Sequence, residues 1–324
     1  MKKVRALVLF SGGLDSVLAA KILMEQGIEV FPVFFKSYFF GPEIAQKSAK
    51  ENGLKLKVID FSKEHLKIVK KPNFGYGSSM NPCLDCHILM LKKAKELMKK
   101  NSHGRIRISR GQRLSERYSH ADFVATGEVL GERPMTQNKK ALELVEKESS
   151  LSGYLLRPLS AKLLKETIPE KKGLIDREKL LDIQGRSRRR QIELAKEFKI
   201  KFYPTPAGGC LLTDPEFGKR LKELLKNYSK FTDNDVELLK LGRHFWEGRA
   251  KIVVGRNHQE NLKIEKLAQK KDILIEMKNY PGPTTLIRSY GGKFSKEILE
   301  KAKNLTKFYS KKARDKKDVE FKII

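Results

Sequence analysis

Hydrophobic positions in the first 150 residues fall into two alternating kinds of block. Short unbroken apolar runs at residues 4–10, 28–35 and 54–60 have the length and the Val, Ile and Phe content of strands buried on both faces. Between them, Leu14, Val17, Leu18, Ile22 and Leu23 recur at helical spacing before Gly27, and residues 42–52 predict a second helix stopped by Gly53. A Lys-rich stretch from Cys86 to about Lys100 presents Ile88, Leu89, Leu91, Ala94, Leu97 and Met98 as a helical face, and residues 123–126 give a further strand. Strands alternating with helices of this length predict an α/β fold with a doubly wound parallel sheet. In such sheets ligands sit at the carboxyl ends of the strands, which points to Ser11, to Phe35 and beyond, and to Thr126.

From about residue 163 to 197 the pattern turns helical, with Arg186, Arg188, Arg189 and Arg190 clustered ahead of Ile192 and Leu194. Tyr203-Pro204-Thr205-Pro206-Ala207-Gly208-Gly209 is too rich in Pro and Gly for regular structure and reads as a linker or tight loop. Beyond it the pattern predicts helices at 217–227, 261–270 and 295–312 and strands at 251–255, 272–277 and 284–288, a smaller α+β domain. The expected organisation is a first domain at 1–160, a helical or linker region at 161–210 that delivers Cys210, and a C-terminal domain at 211–324.

Charge narrows the partners. With 68 Lys+Arg against 39 Asp+Glu, the formal net charge is +29. Such a surplus favours a polyanion, nucleic acid ahead of an anionic membrane surface, because each neutralised phosphate releases counterions. Lys-rich thermophile proteins usually balance Lys with Glu, which this chain does not. Residues 101–120 carry Arg105, Arg107, Arg110, Arg113 and Arg117 with one acid, Glu116, and are a candidate phosphate-contacting segment. The hydrophobic fraction of 40% excludes wholesale disorder. No apolar run approaches the roughly 18 residues that span a bilayer. The basic start Met1-Lys2-Lys3 leads a short apolar stretch with no small-residue cleavage site, so a soluble, cytoplasmic protein without membrane attachment is expected.

Ser11-Gly12-Gly13-Leu14-Asp15-Ser16 lies between a buried strand and an amphipathic helix. Two glycines allow a sharp turn and close approach of a ligand, and the free N–H groups of the helix start suit a phosphate. The Ser11 and Ser16 hydroxyls add hydrogen bonds, and Asp15 is a candidate ligand for the Mg²⁺ that accompanies a polyphosphate. The Lys and the spacing of a Walker A loop are missing.

Three cysteines make no disulfide framework. Cys83 and Cys86 stand in Asn81-Pro82-Cys83-Leu84-Asp85-Cys86-His87, and Cys210 follows Gly208-Gly209. His87, adjacent to Cys86, is poor geometry for a fourth zinc ligand. The thiols can hold three corners of a 4Fe–4S cluster and leave one iron open. They can also run a persulfide and disulfide relay. A third reading is that all three are structural.

The hexapeptide after an apolar strand resembles the pyrophosphate loop of the PP-loop ATP pyrophosphatases. That likeness implies cleavage of ATP between its α and β phosphates, adenylation of a substrate carbonyl oxygen and release of pyrophosphate. With three cysteines the chain resembles the tRNA thiouridine synthetases of this class. The Asn-Pro-Cys-x-x-Cys stretch is similar to MnmA-type 2-thiouridylases. The strings Thr126-Gly127-Glu128-Val129-Leu130-Gly131-Glu132-Arg133-Pro134-Met135 and Leu156-Arg157-Pro158-Leu159-Ser160 resemble a ThiI-related subgroup. By that resemblance Thr126 and Gly127 flank the nucleotide. Gly242-Arg243-His244-Phe245, Val254-Gly255-Arg256-Asn257 and Pro281-Gly282-Pro283 with Leu286-Ile287-Arg288 resemble the small RNA-binding domain of NFACT proteins.

The resemblance implies an ATP-dependent tRNA uridine thiolase, leaning to 4-thiouridine. The alternatives are a cluster-free persulfide-relay 2-thiouridylase and an RNA-binding protein that holds nucleotide without turnover. Expected partners are tRNA and a sulfur donor, either free sulfide or a cysteine desulfurase, with a homodimer left open. No THUMP-like extension, zinc knuckle or rhodanese-like tail accompanies these motifs, so RNA capture is expected to rest on the basic segments and the C-terminal domain. Trp246 is weighed there as a base-stacking residue against simple packing, and His244 and His258 as loop hydrogen bonders.

Overall fold

The computed structural model describes residues 3–98, 121–205, 209–292 and 294–324. Its described chain divides into two units, Met1–Cys210 and Leu211–Ile324. In the first, β1 (Arg5–Leu9) is the middle strand of a parallel sheet. β2 (Glu29–Lys36) and β3 (Lys57–Asp60) extend it on one side, β4 (Phe123–Thr126) and β5 (Leu155–Leu156) on the other, in the order β3-β2-β1-β4-β5. The predicted doubly wound sheet is the one observed.

Side chains alternate across this sheet, and both faces are covered. Ala6 and Val8 enter a core built with α1 (Leu14–Glu25), α2 (Glu43–Glu51) and α7 (Arg189–Glu197). Leu7, Val33 and Val124 enter the opposite core, under α4 (Cys83–Met98) and α5 (Lys139–Glu148). Continuous apolar strands are the sequence mark of burial on both faces, which is why the pattern was readable.

A helix not foreseen, α3 (Ser62–Lys70), follows β3. Its buried residues include Ser62 and His65, so its inner face does not look apolar in sequence. His65 stacks on Phe61 at 5.0 Å and its Nδ1 lies 2.6 Å from Ser37 Oγ. Burial lowers His65 to about 4, which keeps the ring neutral.

The expected helical stretch over 163–197 is corrected. Before α7 that region holds two single-turn 3-10 segments, Ala161–Leu163 and Arg177–Lys179, and the one-turn α6 (Ile168–Lys171). Thr167 and Glu170 form a capping box that starts α6, and Gly173 follows at φ 66°. The segment is held by side chains instead: Arg177 donates to Ala161 O, at 2.8 Å, and to Leu164 O, at 3.0 Å.

The second unit is an α+β domain. Its antiparallel sheet runs β10 (Phe321–Ile323), β8 (Ile273–Met277), β9 (Thr285–Ser289), β7 (Ala250–Val254) and β6 (Arg243–Glu247). On one face α11 (Lys296–Phe308) packs over Ile252, Ile275 and Ile287. On the other, α9 (Asp233–Leu239) and α10 (His258–Leu267) pack over Val253 and Leu286. α8 (Pro215–Asn227) opens the unit, capped by Asp214, whose carboxylate accepts from Phe217 N–H at 2.7 Å. Buried Arg288 is neutralised by Asp235 at 2.9 Å and Asp272 at 2.6 Å. Among the described residues no helix is long and apolar enough to cross a membrane.

Candidate active site

The turn between β1 and α1 lies at the carboxyl end of the middle strand. Gly12 has φ 82°, a conformation that side chains rarely adopt, and a Cβ there would lie 2.7 Å from Ala45 Cα of α2. Gly13 is the N-cap of α1 and supplies no side-chain cap, and Ser16 N–H and Val17 N–H both turn back to Gly13 O, at 3.1 and 3.2 Å. Ser16 Oγ donates to Gly13 O at 2.8 Å, and Gly13 N–H donates to Ser11 Oγ at 3.3 Å. Ser11, Gly12, Gly13, Asp15 and Ser16 are therefore brought together around one helix N-terminus.

Asp15 stands in a crowd of charges that sequence alone did not assemble. α7 packs along α1 and sets Arg188 Nη2 at 3.6 Å from Asp15 Oδ2. Burial pushes the Asp15 carboxyl up, and Arg188 and Arg133 pull it partly back. Glu132 is raised as well, by burial and by Asp15. Asp15 Oδ1 and Arg188 Nε have no hydrogen-bond partner, and the fully buried Gln191 amide, which makes no well-formed hydrogen bond, faces the Asp15 carboxyl and helps to lower it. Buried polar atoms are ordinarily satisfied, so this concentration marks a place built for a ligand. The free carboxylate oxygen suits a cation, and Arg188 suits a phosphate oxygen.

The end of β4 closes against this turn. A Cβ on Gly127 would lie 2.5 Å from the carbonyl carbon of Asp15 and 2.6 Å from Ser16 N. Thr126 Oγ1 donates to Glu128 Oε2 at 3.0 Å, and Arg157 Nε donates to the same oxygen at 3.1 Å. Glu128 Oε1 lies 3.2 Å from His87 Nδ1. Burial would raise the Glu128 carboxyl, but Arg157, His87 and Thr126 together bring it down to about 2. Ionised Glu128 can only accept, so His87 donates to it from Nδ1.

Cys83 is the first residue of α4, and Cys86 lies one turn further. The preceding loop is shaped by buried Asp85, which accepts from Asn73 N–H at 2.9 Å and Phe74 N–H at 3.0 Å. Asn81 Nδ2 donates to Cys83 Sγ at 3.2 Å. Burial pushes the Cys86 thiol well up, with Cys210, Cys83 and Asp85 adding to the rise. All three cysteines are free, and Cys83 and Cys210 both lie close enough to Cys86 to act on its thiol. Among the described residues no group of three or more His, Cys, Asp or Glu is arranged to hold a single metal ion.

Some expectations change. Phe35 was expected beside the nucleotide; its side chain is 2% exposed in the core under α4, with its ring 5.5 Å from that of Phe61. Strand alternation gives the Phe35 side chain to the same core as Val33. The arginine cluster divides: Arg188 serves the Asp15 site, whereas Arg190 pairs with Glu193 and Glu197 on the surface. The basic segment 101–120 lies outside the described residues. Sequence reasoning passed over the Glu128–Arg157 pair and the Arg188–Gln191 contribution of α7. The Leu-Arg-Pro string was the available signal for the first; the second had none.

Comparisons with known proteins place these features. Residues 2–170 match the family model described as thiamine biosynthesis protein (ThiI), and residues 242–324 match that of the NFACT protein RNA binding domain. A curated relative, the tRNA-specific 2-thiouridylase MnmA of a Nitratiruptor species, is 34% identical over 95 residues, which are 26% of this chain and 28% of the relative. The chain thus spans little more than a quarter of that relative's length. A solved 4-thiouridine synthetase–RNA complex with bound ATP is similar at 16% identity and a TM-score of 0.39, over 73% of this chain and 52% of that one. A predicted subunit of tRNA methyltransferase from Methanocaldococcus jannaschii is similar at 21% identity and a TM-score of 0.30, over 48% of this chain and 69% of that one. The family match takes in more than half the chain, from the glycine turn through the cysteine helix to the Glu128–Arg157 pair, and on that extent the chain belongs to the ThiI family, carrying an NFACT-type RNA binding domain after it.

Proposed function

We propose that this chain is an ATP-dependent tRNA uridine thiolase working in the cytoplasm, with sulfur entering at C4 of the base. The observation that carries the reading is the continuity of one sheet edge. Gly127 presses on Asp15 at the phosphate-binding turn, the next residue, Glu128, holds His87, and His87 follows Cys86 directly. This continuity supports a site with a nucleotide end and a sulfur end. ThiI family membership supports the reading, as does the MnmA relative, whose own name states tRNA thiolation. Residues 1–160 serve as the catalytic domain, 161–210 complete the site, and 211–324 hold RNA.

The α1 N-terminus, Gly12 and Gly13 receive the pyrophosphate, and Asp15 Oδ1 is available to Mg²⁺. Thr126 and Gly127 border the nucleotide. The uracil oxygen bonds to the α-phosphorus as the bond to the β-phosphate breaks, and pyrophosphate leaves. His87 Nε2 takes the ring proton that the base gives up. Sulfur then attacks the activated carbon and AMP departs. Cys83, Cys86 and Cys210 would hold a 4Fe–4S cluster, an assignment supported by the action of Cys83 and Cys210 on the Cys86 thiol. When bound, such a cluster supplies one iron open to a sulfur ligand. A relay through Cys83, whose sulfur is held by Asn81, is the second reading.

The test is anaerobic purification with iron and acid-labile sulfide measured, followed by assays of pyrophosphate release and tRNA thiouridine. We expect iron in the wild type and none in the Cys83/Cys86/Cys210→Ala variant. That variant still releases pyrophosphate on tRNA but makes no thiouridine. An iron-free wild type that still makes thiouridine transfers the chemistry to the relay. Pyrophosphate release without thiouridine, in the presence of sulfide, overturns thiolation.

A further inference from the structure

The C-terminal unit contains a second concentration of unsatisfied polar atoms. His244 and Trp246 are two residues apart on β6 and share one face of the sheet. Lys251 of β7 stands directly opposite Trp246 and is 1% exposed. Its ammonium lies 5.4 Å from the Trp246 ring and makes no hydrogen bond or ion pair among the described residues. Trp246 Nε1 and His244 Nδ1 are buried without partners.

The groups around them are largely committed. Asp235 is taken by Arg288 at 2.9 Å and Tyr290 at 2.8 Å, and the Trp246 ring packs on Tyr290 at 5.6 Å. Arg220 of α8 donates to Leu239 O at 2.9 Å and forms no ion pair among the described residues. It acts electrostatically on both His244 and Lys251. Burial lowers Lys251 to about 7; Asp235 and Glu223 oppose that fall, and Arg220 and Arg288 deepen it. Burial, Lys251 and Arg220 also hold His244 well below its ordinary value. An anion placed among these groups would relieve both.

The hydrogen-bond roles can be assigned. A carbonyl oxygen only accepts, so His244 Nε2, 2.7 Å from Leu241 O, carries the ring proton and Nδ1 is an acceptor. This cluster thus presents donors from Lys251, Trp246 and Arg220 beside one acceptor. Inorganic phosphate and a terminal phosphate monoester match this set, because near neutral pH they keep a proton on part of their population. An internal phosphodiester has no such proton.

We propose that His244, Trp246, Lys251 and Arg220 form a binding site for one phosphate group, free or carried at the end of an RNA. Arg220 lies before the stretch matched to the RNA binding domain, so the site joins α8 to that domain. Because Trp246 is the one tryptophan in the chain, its fluorescence reports on this cluster alone. The full chain is titrated at constant ionic strength with inorganic phosphate, with a 5′-phosphorylated RNA oligonucleotide and with the same RNA bearing a 5′-hydroxyl. We expect a saturable change in emission with phosphate or with the phosphorylated RNA. A response to the RNA alone assigns the group to an RNA end. Lys251→Met, which keeps the packed stem, and Arg220→Gln, on a half-buried side chain, should each weaken binding by about tenfold or more. No saturable response to either ligand overturns the proposal. So does an equal response to the 5′-hydroxyl RNA, or unchanged affinity in both variants while circular dichroism reports them folded.

Discussion

Gly127→Ala should lower ATP-dependent pyrophosphate release by about 100-fold or more, the scale of loss that a misplacement of about 1 Å produces. The new Cβ would meet the Asp15 carbonyl carbon at 2.5 Å, its oxygen at 2.6 Å and Ser16 N at 2.6 Å. All three are backbone atoms at the start of a helix whose side chains fill the core, so none can swing aside. Either β4 or the α1 N-terminus has to retreat, and Asp15, Arg188 and the glycine turn lose their register. Overpacking of this kind costs about 1–3 kcal/mol of stability, which most domains survive. The variant is therefore expected to fold, with the loss read in kcat rather than in circular dichroism. Wild-type turnover in Gly127→Ala would separate the end of β4 from the site.

Arg157→Met should cost about 3–5 kcal/mol in urea unfolding, because it leaves the Glu128 carboxylate buried without its cation. Arg157 is the hub of that region: it donates to Glu128 at 3.1 Å, to Glu146 at 3.2 Å and to Leu142 O at 3.2 Å. Adding Glu128→Gln to Arg157→Met removes the stranded charge and should recover a large part of the loss. The pair also sets an acid dependence. Glu128 is depressed from 4.5 to about 2, so its contribution is complete above 4.5 and disappears as pH falls towards 2. Wild type should lose stability across that window, and the double variant should lose less. A single Arg157→Met variant as stable as wild type would show the pair to be dispensable.

The parallel sheet was legible because buried strands are apolar on both faces, and Phe123–Thr126 is recovered residue for residue. The glycine turn was legible because its chemistry is local: six adjacent residues carry it. β6 was not, since Arg243, His244 and Glu247 interrupt its apolar content and all five of its residues are only half-buried. α9 was hidden by its capping box, in which Thr232 and Asp235 read as loop residues. Arg188 was visible as a charge but not as a neighbour of Asp15, because only the packing of α7 on α1 joins positions so far apart. Phe35 is the opposite case. Its place at a strand end is correct, but strand alternation turns the side chain inward.

The central position of β1 has a consequence for how the chain is made. β2 follows β1 closely and can pair with it, and β3 with β2, soon after they emerge from the ribosome. The other edge of β1 stays open until β4 is synthesised, an interval measured by the bond from Arg5 N–H to Asp122 Oδ2 across 117 positions. Long-range parallel pairing is slow, and an open strand edge invites association with other chains. The nascent protein thus carries a template for mispairing at its own middle strand until those 117 positions have been made. Docking of β4, whose Gly127 closes against the turn between β1 and α1, is the step that ends this exposure, so the open edge and the unfinished turn are resolved together.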